Sequence, residues 1–231
     1  MLQKGSDVAI TTQSDVAYFP GAKGYFVRPE KEGKYPGVVM IHENRGLRPE
    51  IRTMADELAK EGYMVLAVDL YNGKVVETQE DARALSGSFD QAKGTENLRT
   101  AAKYLRDRGA TKLASLGWCF GGRQSLALAT SGEKLDATVV YYGGGMPTTT
   151  EALAPIKWPV LGVFGDKDQA IPVEKVKEFE TSLNTLGIKN EIHIYPGVGH
   201  AFANPSGANY APNETKDAWE KTVNFLKTNL Q

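Results

Sequence analysis

Cysteine occurs once, at Cys119, and histidine three times, at His42, His193 and His200. A lone cysteine excludes an internal disulfide, a cysteine-rich zinc site and a two-cysteine redox motif. No two histidines stand at ligand spacing, so neither a metal nor a cofactor is expected. An excess of charge of one sign is also missing. In 231 residues, 27 Lys and Arg face 28 Asp and Glu, a formal net charge of −1. Nucleic-acid and membrane-surface partners usually require a basic face, so neither is expected. No apolar run approaches the roughly 20 residues of a membrane helix. The first residues have no apolar core of the kind found in secretory signals, so the expected compartment is the cytoplasm. Neither G-x-x-x-x-G-K-[ST] nor G-x-G-x-x-G occurs, which weakens a phosphate-binding reading. Repeats and Gly/Ser/Pro-rich linkers are absent as well, so residues 1–231 are expected to form a single domain.

What is present is a chain able to bury a core, with 41% hydrophobic and 24% charged residues. Short apolar runs at 38–41, 63–70, 113–116, 137–142, 160–164 and 192–195 read as strands. Between them, residues 51–60, 97–106, 120–130, 173–186 and 218–226 repeat apolar positions at helical spacing. Residues 24–27 read as an antiparallel edge strand. Apolar strands alternating with helices predict an α/β fold, with a mostly parallel central sheet and helices on both faces. In such a fold, ligands bind beyond the carboxyl ends of the strands, so the residues just after each strand carry the interest.

After the strand at 113–116 comes Gly117-Trp118-Cys119-Phe120-Gly121-Gly122, and then a helix. This is a G-x-nucleophile-x-G elbow with cysteine in place of serine. Such a turn holds the nucleophile at a helix N-terminus, where free N–H groups and the helix dipole favour a thiolate and a developing oxyanion. Taken alone, Cys119 also reads as a small buried hydrophobe. A nucleophile needs a base, and the base needs an orienting carboxylate. The strand at 160–164 leads into a loop with two carboxylates, Asp166 and Asp168, and the strand at 192–195 leads to His200. Asp168 lies 49 residues after Cys119, and His200 lies 32 after Asp168. All three fall at strand ends, in the order nucleophile, acid, histidine. His193 alternates with Ile192 and Ile194 and reads as structural.

With these segments in place, the chain resembles the dienelactone hydrolase (carboxymethylenebutenolidase) family of the α/β-hydrolase superfamily over residues 25–226. The Cys-bearing elbow is the most specific element. The family's acid loop, G-x-x-D-x-x-[VI]-P, is matched by Gly165, Asp168, Ile171 and Pro172, which selects Asp168 over Asp166. His200 and Phe202 match the family's histidine and following aromatic. The resemblance further implies that Glu43 contacts the cysteine, which rests protonated and turned aside until substrate arrives. It also implies that the N–H groups of Asn44 and Phe120 form the oxyanion hole. A salt bridge from Glu43 to Arg45 or Arg48 is the competing reading of Glu43, and His42, just before it, reads as a support for the oxyanion loop with no role in the chemistry. One departure stands out. The family grips a substrate carboxylate with arginines, one of them four residues after the histidine, where this chain has Asn204. Arg83 reads as an exposed helix residue. Dienelactone itself is therefore doubtful as the substrate.

The resulting expectation is a hydrolase of small carboxylic esters or lactones, working through Cys119, Asp168, His200 and Glu43 and a thioester intermediate. Trp118, Tyr142, Met146, Phe202 and Asn204 are candidates for the substrate pocket, with core packing equally open for the apolar four. The alternatives are an acyltransferase or cysteine peptidase on the same scaffold, a non-catalytic binding module, and a redox thiol protein. The oligomeric state is not legible in the sequence.

Overall fold

Strands and helices alternate through residues 8–231, the part of the chain that the computed structural model describes. These residues fall into two units, one ending at Leu116 and the other running from Gly117 to Gln231.

The first unit opens with an antiparallel hairpin of β1 (Ile10–Phe19) and β2 (Ala22–Pro29). It continues with β3 (Gly37–Ile41), α1 (Pro49–Lys60), β4 (Met64–Val68), α2 (Gln79–Gly87) and α3 (Gln91–Asp107), and reaches β5 (Leu113–Trp118), which crosses into the second unit. Its strands are ordered β1-β2-β4-β3-β5. β3 and β4 are parallel, and β2 is antiparallel to β4. Residues 24–27, expected at an edge, are therefore flanked on both sides. The edge belongs to β1, which sequence periodicity did not reveal because it is mostly polar and exposed. An outermost strand stays soluble with such residues.

Helix α1 starts two residues earlier than its apolar stripe, because Pro49 suits the first helical turn, where its missing N–H costs nothing. Ile51, Ala55, Leu58 and Ala59 then form its buried face. α2 was not foreseen. It buries only Ala82, so it has no stripe to read, and its one local signal is the Thr78 cap on the N–H of Asp81. Arg83 is exposed on it. α3 begins at Gln91, ahead of the expected 97, because Asp90 caps the N–H of Lys93.

The second unit holds α4 (Phe120–Thr130), β6 (Ala137–Tyr141), α5 (Thr150–Leu153), β7 (Val160–Gly165), α6 (Val173–Thr185), β8 (Asn190–Tyr195) and α7 (Pro212–Leu230). β6, β7 and β8 are adjacent and parallel. Every residue of β3, β4, β5, β6 and β7 is buried, which requires cover on both faces of the strands. Each Val, Leu, Ile or Phe buried there contributes about 1.5–3 kcal/mol. The α/β class with mostly parallel strands therefore agrees with the expectation from sequence. Among the described residues no helix is long and apolar enough to cross a membrane.

Candidate active site

The elbow lies between β5 and α4. Cys119 is the N-cap of α4, with φ 53° and ψ −113°, a backbone conformation that residues with a side chain rarely adopt. Two contacts hold it there. The N–H of Cys119 donates to the carbonyl of Tyr141 at 3.0 Å, and the N–H of Arg123 donates to the carbonyl of Cys119 at 3.1 Å. The glycines on either side have no room for a side chain. A Cβ on Gly117 would stand 2.2 Å from the Gly121 carbonyl oxygen, and one on Gly122 would stand 2.4 Å from that of Tyr141. Gly122 thus lets α4 approach the end of β6, a requirement that the elbow pattern does not express. Phe120 is the first residue of α4.

Asp168 sits in the loop after β7 and is 4% exposed. Its Oδ1 accepts the N–H groups of Ala170 at 2.9 Å and Ile171 at 3.1 Å. That leaves Oδ2 aimed at Nδ1 of His200, 2.7 Å away. The other ring nitrogen, Nε2, lies 3.1 Å from the Cys119 sulfur. The three residues picked from sequence are thus brought into one chain of hydrogen bonds. Asp166 has a different task, accepting the N–H of Gly197 at 2.7 Å and tying the loop before His200 to the end of β7. A further support had no signal in the sequence: the Asn209 side-chain amide donates to the His200 carbonyl at 2.9 Å.

Burial alone would lower the His200 pKa. The hydrogen bonds and charges of Asp168 and Cys119 outweigh it and push the value up to about 10. An imidazolium against the sulfur stabilises a thiolate, and the charge-assisted contact favours the rotamer seen. The sulfur faces His200. His193 lies beside Glu191, 3.8 Å away, with its pKa lowered by burial and then by the charge of Lys221.

The expected pocket residues divide. Tyr142 is fully buried, at φ 35° just past β6, with its ring edge-on to His200 at 5.3 Å. Phe202 is fully buried against Tyr142 and Tyr195, so it props the histidine loop from within the core. Trp118 packs on Tyr141 and Trp219, because strand alternation turns it away from the cysteine. Met146 is buried. Asn204 spends its side-chain oxygen on Ser206, closing a local turn. In the first unit, Arg48 pairs with Glu50 and Glu77. Glu43 and Asn44 are half-buried after β3. Among the described residues no group of three or more His, Cys, Asp or Glu could hold a metal ion.

Comparison with known proteins agrees with the fold and the family resemblance. The model of the dienelactone hydrolase family matches residues 22–230. The "Putative carboxymethylenebutenolidase" of Saccharolobus solfataricus is 31% identical over 229 residues, covering 82% of this chain and 88% of its own. Among solved structures, a dienelactone hydrolase-like promiscuous phosphotriesterase from metagenomic libraries is 25% identical with a TM-score of 0.87, covering 96% of this chain and 100% of its own. A dienelactone hydrolase from Anabaena variabilis shares the fold at 22% identity and a TM-score of 0.70, covering 97% and 99%. With a family match over nearly its whole length, the chain belongs to the dienelactone hydrolase family and is a hydrolase.

Proposed function

We propose that this hydrolase cleaves small carboxylic esters or lactones through a Cys119–His200–Asp168 triad and a thioester intermediate. The observation that carries the reading is His200 suspended between Asp168 at 2.7 Å and the Cys119 sulfur at 3.1 Å, on a strained elbow. The Cys119 thiolate attacks the carbonyl carbon, and the N–H groups of Asn44 and Phe120 receive the oxyanion. The His200 imidazolium gives its proton to the leaving alkoxide as the C–O bond breaks, leaving the acyl group on sulfur. Neutral His200 then takes a proton from water, whose hydroxide attacks the thioester. Collapse of that intermediate releases the acid and returns thiolate and imidazolium. Asp168 keeps the ring in register and stabilises its charged form. Before the first attack, while Cys119 is still a thiol, Glu43, at the position of the family's cysteine-contacting glutamate, assists its deprotonation. In this reading residues 1–231 act as one domain, on a small-molecule substrate and without a cofactor.

The test is a panel of p-nitrophenyl esters and simple lactones with wild type and Cys119→Ala. Turnover is expected for the wild type alone, with acyl–enzyme accumulation visible as a burst. An Ala variant as fast as wild type, or no turnover by either, would overturn the triad. Glu43→Gln is expected to slow acylation while leaving hydrolysis of a preformed thioester unchanged.

A further inference from the structure

His42 is fully buried, yet both its ring nitrogens are engaged by the backbone. Nε2 accepts the N–H of Leu70 at 3.1 Å. A neutral imidazole has one donor and one acceptor, so its proton is on Nδ1. Nδ1 lies 2.5 Å from the Glu43 carbonyl oxygen, which can only accept. Burial lowers the pKa of the ring, against the opposing pull of the Glu43 carbonyl and the Asp69 charge, and this favours the neutral form. The ring also packs on Tyr71, centroid to centroid 4.9 Å.

The far end of this contact is itself fixed. Asp69, 2% exposed, accepts the N–H groups of Tyr71 at 2.9 Å and Gly73 at 2.5 Å. Its own carbonyl accepts the Tyr18 hydroxyl and the Asn97 amide, both at 3.1 Å. Leu70 is therefore a firm anchor, and His42 is a strut between it and the carbonyl of Glu43, which also accepts the longer N–H contact of Gly46 at 3.3 Å.

That carbonyl shares one planar trans peptide with the N–H of Asn44, so the two point in opposite directions. Holding the oxygen aims the N–H. A hydrogen bond to the oxygen also polarises the peptide and strengthens its N–H as a donor. We propose that His42 is a positioning residue: its Nδ1–H sets the Glu43–Asn44 peptide so that the Asn44 N–H is aimed in advance at the oxyanion. The inference rests on the reading in which Asn44 supplies that donor.

Two substitutions separate the functions of the ring. His42→Asn puts an amide near Nδ1, keeping a donor for Glu43 and losing the acceptor for Leu70. His42→Gln reaches the Nε2 position, keeping the acceptor and losing the donor. Steady-state kinetics on p-nitrophenyl acetate, with Tm measured in parallel, compares both with wild type and Cys119→Ala. His42→Gln is expected to lose about tenfold or more in kcat with KM little changed, below the roughly 10²–10³ of removing an oxyanion donor outright. His42→Asn is expected to recover most of that kcat even where its Tm falls as far. Equal loss in the two variants, or full activity in His42→Gln, overturns the proposal. With Cys119→Ala inactive, that result sinks only the role of His42. An active Cys119→Ala sinks the triad reading and this inference together. If neither His42 variant folds, ¹⁵N NMR of the wild-type histidines decides. The Nδ1–H tautomer supports the proposal, and an Nε2–H or charged ring overturns it.

Discussion

Cys119 combines a strained backbone with a sulfur held against an imidazole, and each feature has a measurable consequence. An ordinary thiol titrates near 8.5, so at pH 6.5 only roughly one per cent is thiolate. With His200 raised to about 10, the imidazolium persists across neutral pH beside the sulfur. Iodoacetamide is therefore expected to alkylate the wild type faster than a variant without that cation. His200→Ala is expected to be at least about tenfold slower at pH 6.5. Equal rates at pH 6.5 would show that His200 does not activate the sulfur. As the only cysteine, Cys119 makes the adduct unambiguous. The sign of the stability effect follows from the same shift. Folding raises the pKa of His200, so the stability tied to that proton is complete below about 6.5 and lost as pH rises through about 10. For the acid, Asp168→Asn is expected to lower kcat by up to about 10⁴, the scale of an equivalent change in a serine triad. Asp166→Asn gives up only its bond to the Gly197 N–H and is expected to cost less than about tenfold, read from kcat on a p-nitrophenyl ester. Cys119, Asp168 and His200 were legible because their spacing and loop motifs are local. The aim of Asp168 Oδ2 was not, because it depends on which oxygen the Ala170 and Ile171 N–H groups occupy.

At the scale of elements, the elbow works only if α4 and the strand ends approach closely. Gly117→Ala would place a methyl 2.2 Å from the Gly121 carbonyl oxygen, where neither partner is a movable side-chain tip. Overpacking typically costs about 1–3 kcal/mol, and a backbone clash belongs at the upper end. Urea unfolding is expected to show that loss, with kcat falling further because the turn itself must shift. Buried strands such as β3 and β6 were readable as apolar runs, and amphipathic helices such as α1 as stripes. β1 and α2 were not, since the periodic signal comes from burial on one face and these two elements bury little.

For the whole molecule, the boundary between the two units falls inside β5, a strand buried from Leu113 to Trp118. The boundary cuts a continuous strand rather than a linker. Urea unfolding is expected to give one transition, with circular dichroism and tryptophan fluorescence superimposing. A fragment of residues 117–231 alone is expected to lack a cooperative transition. Two resolved transitions, or a folded fragment, would show that the units are independent. The sequence by itself determined the α/β class, the elbow and the order of Cys119, Asp168 and His200 at the strand ends, because strand burial and strand-end motifs are written in short contiguous segments. Tertiary structure alone decided which nitrogen of His200 meets which partner, that Trp118 and Phe202 serve the core, and that His42 braces the Glu43 carbonyl. Each of these depends on where distant backbone groups, such as the N–H of Leu70 or the carbonyl of Tyr141, come to rest, and no local pattern encodes that.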